Sequence, residues 1–325
     1  MNRRLDRIIA PQVLRDAHAH GHAFVKAEPF RHVVIDDFFA PAYLDRVDLE
    51  FPSFERGSAL TENGDLGNKS TVEKIRDLGA SFAALDDLIQ SKDFLDLVGR
   101  LTGIDGLLYD PWYFGGGTHE SRHGQDLDAH VDFNRHPIEN WHRRLNLIVY
   151  LNHEWDDDWG GALELHSDPR AADNRTMRIT PRSNRCVIFE TTESSWHGFP
   201  PIVLPESKRH LTRRSIALYF YTKERPAEEL ADTHSTIYID RPLPERFREG
   251  HTLDHDDVHE LRILLARRDR HIQRLYRDVS QANAQFEAAR NSLANMKPFD
   301  VMMAMARASP LRKLVHRMRW FLRKA

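Results

Sequence analysis

The sequence predicts an α+β fold: bracing helices first, then an antiparallel sandwich or barrel of strands, then one long helix. Three observations predict it. Apolar residues recur at helical spacing over 76–101, at Leu78, Phe82, Leu85, Leu88, Ile89, Phe94, Leu95 and Val98. Beyond residue 106, short apolar or alternating runs are separated by turn residues: GLLYDPWYF, RLNLIVYLN, GALELH, RCVIFE, HGFPPIV and RRSIALYFYT. From about 255, Val258, Leu265, Ile272, Val279, Phe286 and Leu293 recur every seven residues. Helices followed by strands place the helices on one sheet face.

Composition supports a globular chain. Of 325 residues, 41% are hydrophobic, enough for a sizeable core, and the net charge of −3 gives no general attraction to nucleic acid. The single cysteine, Cys186, excludes an intrachain disulfide and a cysteine-based zinc site. The N-terminus has no apolar signal segment, and no run of about 18 apolar residues occurs. The expected location is therefore cytoplasmic.

In order, residues 1–28 read as a lead-in segment, helical or irregular. Within it, His18, His20 and His22 would share one face of a strand, but no nearby carboxylate stands in register, and a solvated entry segment is the better reading. FRHVVIDDFFAPAYLDRV reads as strand, turn and helix, with Pro41 at the helix start. Residues 55–71, rich in Gly, Asn and Ser, read as a loop. Two helices fill 76–101, and the strands follow. The main domain runs over 29–228, with a linker at 229–254.

The heptad helix is expected over 255–297. Leu261, Leu275, Ala282, Ala289 and Met296 fill its d positions, with Arg268 as the exception, so it predicts a coiled coil and a homodimer. Pro298 ends it. The tail, 298–325, carries Arg307, Arg312, Lys313, Arg317, Arg319, Arg323 and Lys324, with Leu311, Leu314, Val315, Met318, Phe321 and Leu322 on one helical side. A basic amphipathic helix of this kind fits an anionic membrane surface through 299–325, or a partner, or the protein's own core. A peripheral position at the inner face of the membrane is the corresponding expectation.

The chemistry turns on two His-x-Asp pairs. On a strand, positions i and i+2 share a face, so such a pair can aim an imidazole and a carboxylate at one metal ion. His130-x-Asp132 has a third partner downstream, His197, after the strand around Val187–Phe189. Two histidines and a carboxylate form the facial triad of oxygen-activating iron(II) sites, though zinc accepts the same ligands. His166-x-Asp168 lies too close before His197 for the intervening strands and reads as a loop feature. RRSIALYFYT adds a candidate carboxylate anchor: Arg213 and Ser215 share one strand face, Arg214 and Ile216 the other. Arg213 is preferred, and a one-residue register slip would swap the two arginines.

His130-x-Asp132, His197 and Arg213-x-Ser215, in that order, resemble the iron(II)/2-oxoglutarate-dependent dioxygenases of the prolyl-4-hydroxylase type. RLNLIVYLNHEW, WGGALEL and PFRHVVIDDFF resemble strands of the same family, and the likeness covers roughly 25–225. It implies a double-stranded β-helix (jelly-roll) core with Fe(II) held by His130, Asp132 and His197. It also implies 2-oxoglutarate and O2 as co-substrates, ascorbate as a candidate reductant, and Tyr150 beside Arg213 at the far carboxylate of 2-oxoglutarate.

Asn146 shares the Tyr150 strand face and is a candidate to line the pocket, or a satisfied core amide. Tyr113 stands before the metal pair as a substrate-pocket or core residue, and Asn134 and Arg135 follow it as substrate candidates by position. Gly115–Gly117 lacks the phosphate-loop context and reads as a flexible loop at the mouth. The implied activity is hydroxylation of a C–H bond in a protein or peptide residue or a surface-glycan precursor. A zinc-dependent hydrolase, or a non-catalytic coiled-coil scaffold carrying an inert barrel, are the competing readings.

Overall fold

The computed structural model describes residues 4–60, 66–240 and 243–295. The chain divides into two units, Met1–Pro242 and Leu243–Ala325.

The first unit begins with three helices, α1 (Leu5–Ile8), α2 (Pro11–Arg15) and α3 (Ala17–Lys26), then β1 (His32–Ile35) and α4 (Pro41–Leu49). A hairpin of β2 (Ser58–Leu60) and β3 (Leu66–Val72) precedes α5 (Ala80–Ile89) and α6 (Lys92–Thr102). The strands that follow are β4 (Leu108–Tyr109), β5 (Gly117–Ser121), β6 (Leu127–Val131), β7 (His142–Tyr150) and β8 (Leu163–His166). Next come β9 (Thr176–Ile179), β10 (Cys186–Glu190), β11 (Trp196–Phe199), β12 (Arg213–Thr222) and β13 (Ile237–Tyr238). The second unit contains α7 (His255–Asn295).

Two antiparallel sheets form a β-sandwich. The larger runs β1-β10-β7-β12-β5-β3-β2, with β4 also on β12; the smaller runs β13-β6-β11-β8-β9. Alternation along β7 and β12 builds the layers. Leu145, Leu147 and Val149, with Ile216, Leu218 and Phe220, join one buried cluster with Phe24, Phe82, Leu85, Phe94 and Leu97 of the helices. The intervening residues of β7 and β12 face the other sheet, where Tyr150, Leu163, Leu165, Val187 and Phe189 form a smaller cluster. Because both faces of β7 are covered, its sequence reads as a nearly continuous apolar run.

Local signals set the helix ends. Ser91 caps α6 by accepting from the Phe94 N–H, and Gly103, at φ 73°, closes it. Pro41 occupies the first turn of α4, where its missing N–H costs nothing.

Several expectations change. Residues 55–71 hold the β2–β3 hairpin, because β5 supplies a pairing edge: Ser70 faces Glu120 and Thr71 faces His119. Polar composition without alternation hid those strands. His18, His20 and His22 lie on α3, where alternate positions diverge, so the shared strand face does not exist. The glycine run is a packed turn: Gly116 N–H donates to Tyr113 O, and a Cβ on Gly117 would stand 2.0 Å from Val72 O. The 229–254 stretch, read as linker, contains β13.

In the second unit, Asp254 and Asp257 cap α7 reciprocally: each carboxylate accepts the other's backbone N–H. The heptad positions Leu265, Ile272, Leu275, Val279 and Phe286 are exposed. The basic tail expected at 298–325 lies outside the described residues, as does the helix stop at Pro298. No helix among the described residues is long and apolar enough to cross a membrane.

Candidate metal and dicarboxylate site

The smaller sheet places the two histidines. In the β6–β11 ladder His130 stands opposite His197, and their rings lie 4.2 Å apart. Each ring is oriented by its own backbone. His130 Nδ1 is 2.9 Å from Asp128 O, and His197 Nδ1 is 2.9 Å from Ser195 O. A carbonyl only accepts, so both Nδ1 atoms carry a proton, which leaves Nε2 as the nitrogen each ring can offer to a metal. Those Nε2 atoms converge on Asp132: His130 Nε2 is 3.8 Å from Oδ1, and His197 Nε2 is 3.5 Å from Oδ2. One ligand atom from each of the three residues lies within 4.8 Å of the others. Fixed tautomers, unprotonated nitrogens and a carboxylate on one small face fit a divalent ion.

Electrostatics agree with that arrangement. Burial and then the adjacent His130 push the His197 imidazole down to about 3. Burial raises Asp132, but Arg143, His197, His130 and the Asn146 hydrogen bond together outweigh it and hold the carboxyl below its ordinary value. His197 therefore stands as a neutral imidazole and Asp132 as a carboxylate across the neutral range.

Arg143 is the residue that sequence reasoning missed. Its guanidinium lies 3.2 Å from Asp132 Oδ2 and donates to Asn146 Oδ1, while its planar face stacks on Phe133 and Tyr219. Simple alternation from Leu145 turns Arg143 toward the helices. A register shift in the β7–β12 ladder, where Phe220 pairs with Leu145 but Tyr221 with Arg143, breaks that alternation. Two adjacent arginines at the start of an apolar strand were the only trace in the sequence.

The larger sheet supplies the cation. Arg213 and Ser215 line the same cleft as His130, Asp132 and His197, a cleft of about 970 Å³ including its open mouth. Arg213 is buried, donates from Nε to Gly161 O (2.6 Å) and from Nη2 to the Tyr150 hydroxyl (3.1 Å), and meets no carboxylate among the described residues. Phe199 covers its planar face, with the guanidinium carbon 4.2 Å from the ring centre. The Gly-Gly turn makes room: Gly160 and Gly161 have φ of 68° and 67°, and a Cβ on Gly161 would stand 3.3 Å from Arg213 Cδ. A buried arginine without an acidic partner, open to a cleft, fits an anion. Arg214 faces away, toward Glu120 and Thr212.

The other expected residues fall in varied places. Asn146 lines the cleft, but its amide donates to Asp132 Oδ2 (2.8 Å). The Tyr150 hydroxyl oxygen accepts from Arg213, which leaves its own proton to donate. Tyr113 is not on a strand and its hydroxyl donates to Asp86 (2.7 Å), away from the cleft. Asn134 bonds to Asp232 O and the His234 N–H, so its amide fastens backbone. Arg135 is spent on Asn140 O in an exposed turn. None of these three lines the cleft. His166 accepts at Nδ1 from Asn174 and Thr176, and Asp168 caps a turn at Arg170, so that pair holds a loop.

Residues 116–221 match the family model of the 2OG-Fe(II) oxygenase superfamily. Prolyl 3-hydroxylase OGFOD1 of Mus musculus is 29% identical over 121 residues, 36% of this chain and 20% of the relative. The chain thus spans about a fifth of the length of that curated relative. Among solved structures, a prolyl hydroxylase from Trichoplax adhaerens, in complex with a hypoxia inducible factor peptide fragment, shares 15% identity at a TM-score of 0.47. That match covers 65% of this chain and 92% of the other. A Pseudomonas putida prolyl-4-hydroxylase shares 16% identity at a TM-score of 0.41, covering 64% and 99%.

Proposed function

We propose that this chain, a 2OG-Fe(II) oxygenase of prolyl-4-hydroxylase-like character through its 116–221 segment, hydroxylates an unactivated C–H bond of a protein or peptide residue. A surface-glycan precursor is the other substrate class in view. One observation carries the reading: the convergent His130, Asp132 and His197 share a cleft with Arg213, a buried cation that meets no carboxylate among the described residues. A zinc-dependent hydrolase on the same ligands leaves Arg213 with Ser215 unexplained. The two sheets are read as a double-stranded β-helix with the site at its open end.

His130 and His197 would offer Nε2, and Asp132 one oxygen, to Fe(II). When bound, Fe(II) with 2-oxoglutarate supplies an O2-dependent oxidation that releases succinate and CO2. Arg213 and Tyr150 would hold the far carboxylate through paired donors, with Ser215 beside them. Phe199 and Leu163 wall that end of the cleft against water. Arg143 and Asn146 hold the Asp132 carboxylate in place. The mouse relative is a prolyl 3-hydroxylase, which supports a prolyl residue as substrate. The chemistry needs no general base from the chain.

The test needs no substrate. Under nitrogen, Fe(II) and then 2-oxoglutarate are added to metal-free protein, and a visible charge-transfer band is sought. The band should appear in the wild type, vanish in His130→Ala and need far more 2-oxoglutarate in Arg213→Ala. A folded, iron-loaded wild type without the band would overturn the reading, in favour of a zinc enzyme or an inert barrel.

A further inference from the structure

The segment after β12 is built into the site. β13 adds to the smaller sheet beside the metal-ligand strand, pairing Ile237 with Val131 and Tyr238 with His130. The Ile239 N–H also donates to Ala129 O. Three successive cross-strand neighbours therefore share one face: Tyr238, His130 and His197. The Tyr238 ring stacks on the His130 ring at 5.1 Å and 28°, and His130 meets His197 on its other side.

Alternation along the segment is functional in form. Thr236, 3% exposed, and Tyr238 line the cleft, while Ile237 between them points outward and is 38% exposed. A connector that only had to cross the sheet would not need two side chains inside the cleft. The segment is also fastened before it arrives. Asn134 accepts from the His234 N–H and donates to Asp232 O, and His234 Nε2 meets Glu193 at 2.9 Å. Further back, Arg225 donates to the backbone oxygens of Arg143 and Thr191.

We infer that β13 is a third rung of the metal-ligand ladder and that Tyr238 is a positioning residue for His130. The inference rests on the reading of His130, Asp132 and His197 as a metal centre. The Nδ1 bond to Asp128 fixes one point of the imidazole and leaves rotation about that bond. A ring stacked against its face removes the rotation and keeps Nε2 aimed at Asp132. The same ring shields the ligand from water on the side that His197 does not cover. Hydrogen-bonded partners of metal-bound imidazoles are worth about 10–100-fold in metal affinity, and a stacked ring is expected at the lower end of that range.

The experiment follows metal release, which requires no substrate and no turnover. Co(II)-loaded full-length protein is mixed with excess chelator, and the loss of Co(II) is timed by its visible absorption. Tyr238→Ala should release Co(II) about tenfold faster than wild type. Tyr238→Phe should stay near wild type, because the stacked ring remains. Ile237→Ala, on the same strand but facing outward, should also stay near wild type. Equal release from Tyr238→Ala and wild type would overturn the positioning role. So would equally fast release from Ile237→Ala, because the strand would then act only as a structural cover. A wild type that takes up no Co(II) would instead sink the metal-centre reading itself.

Discussion

The Nη2 of Arg213 lies 3.1 Å from the Tyr150 hydroxyl, and the pair joins two neighbouring strands of the larger sheet. Burial pushes the Tyr150 phenol up while Arg213 pulls it down, with the net shift upward, so it stays protonated as a donor. Two donors thus stand ready for one carboxylate. Arg213→Ala should weaken 2-oxoglutarate binding by about 2–3 kcal/mol, roughly 100-fold, since hydrogen bonds to charged groups are worth that much. Tyr150→Phe should cost about 1 kcal/mol. Arg213→Lys should fall between, because an ammonium cannot make the paired contact. Titrating 2-oxoglutarate against the charge-transfer band measures all three. Wild-type affinity in Arg213→Ala would remove this pair from the site.

Arg143 leads to a prediction about stability. It is 1% exposed and pairs with Asp132, itself a mostly buried carboxylate. Arg143→Met keeps the stacked volume between Phe133 and Tyr219 but leaves Asp132 without its cation. Breaking a buried pair in this way costs about 3–5 kcal/mol. A divalent ion would replace the missing charge. The melting temperature of metal-free Arg143→Met should therefore fall well below that of wild type, and Co(II) should close much of the gap. A metal-free melting temperature unchanged by the substitution would contradict the pairing.

Much of this site could be read from strand alternation alone. His130 with Asp132, and Arg213 with Ser215, needed only a period of two, and the preference for Arg213 over Arg214 followed from which side carried Ile216 and Leu218. Where the period breaks, the reading breaks with it. The register shift at Phe220 and Tyr221 hid Arg143. Tyr113 was placed on a strand, yet it sits at φ 53° in a turn, where its hydroxyl is consumed by Asp86. Asn134 was placed near substrate from its distance along the chain, but its amide is used by residues about a hundred positions later, which no local pattern encodes. The β2–β3 hairpin and β13 were missed for one reason. Neither alternates long enough to show in the sequence, and each forms because another strand offers an edge.

The cap of α7 gives a pH dependence. Arg246 and His251 both bind the Asp257 carboxylate, which lowers it to about 2. A carboxyl whose folded value is depressed contributes stability that is present above its unfolded value, near 4. That contribution is lost as pH falls from about 4 through about 2. The first turn of α7 should fray in that window while the turns beyond it follow their own acid response. Carbon-13 NMR of the Asp257 carboxyl should show a midpoint near 2. A midpoint close to 4 would mean that the Arg246 and His251 contacts do not persist in solution. Asp257→Asn should remove this transition without creating another.

The heptad face of α7 predicts self-association. Leu265, Ile272, Leu275, Val279 and Phe286 are between 47% and 66% exposed, and they recur at the spacing of a coiled-coil seam. A stripe with that period is complementary to a copy of itself. In a parallel pair the flanking g and e' positions bring Asp278 beside Asn283 and Gln285 beside Arg290, with no like charges opposed. Arg268 is the discordant residue, because a parallel pair would set two guanidinium groups at the same d layer. Two substitutions therefore act in opposite directions. Ile272→Asp should yield a monomer in sedimentation velocity, since a carboxylate would enter the seam. Arg268→Leu should tighten the dimer and raise the melting temperature of the helix, since it replaces a repelling pair with an apolar contact. If Arg268→Leu leaves the association unchanged while Ile272→Asp abolishes it, the helices pair in a different register. If neither changes the sedimentation coefficient, the stripe is not a contact between copies of this chain.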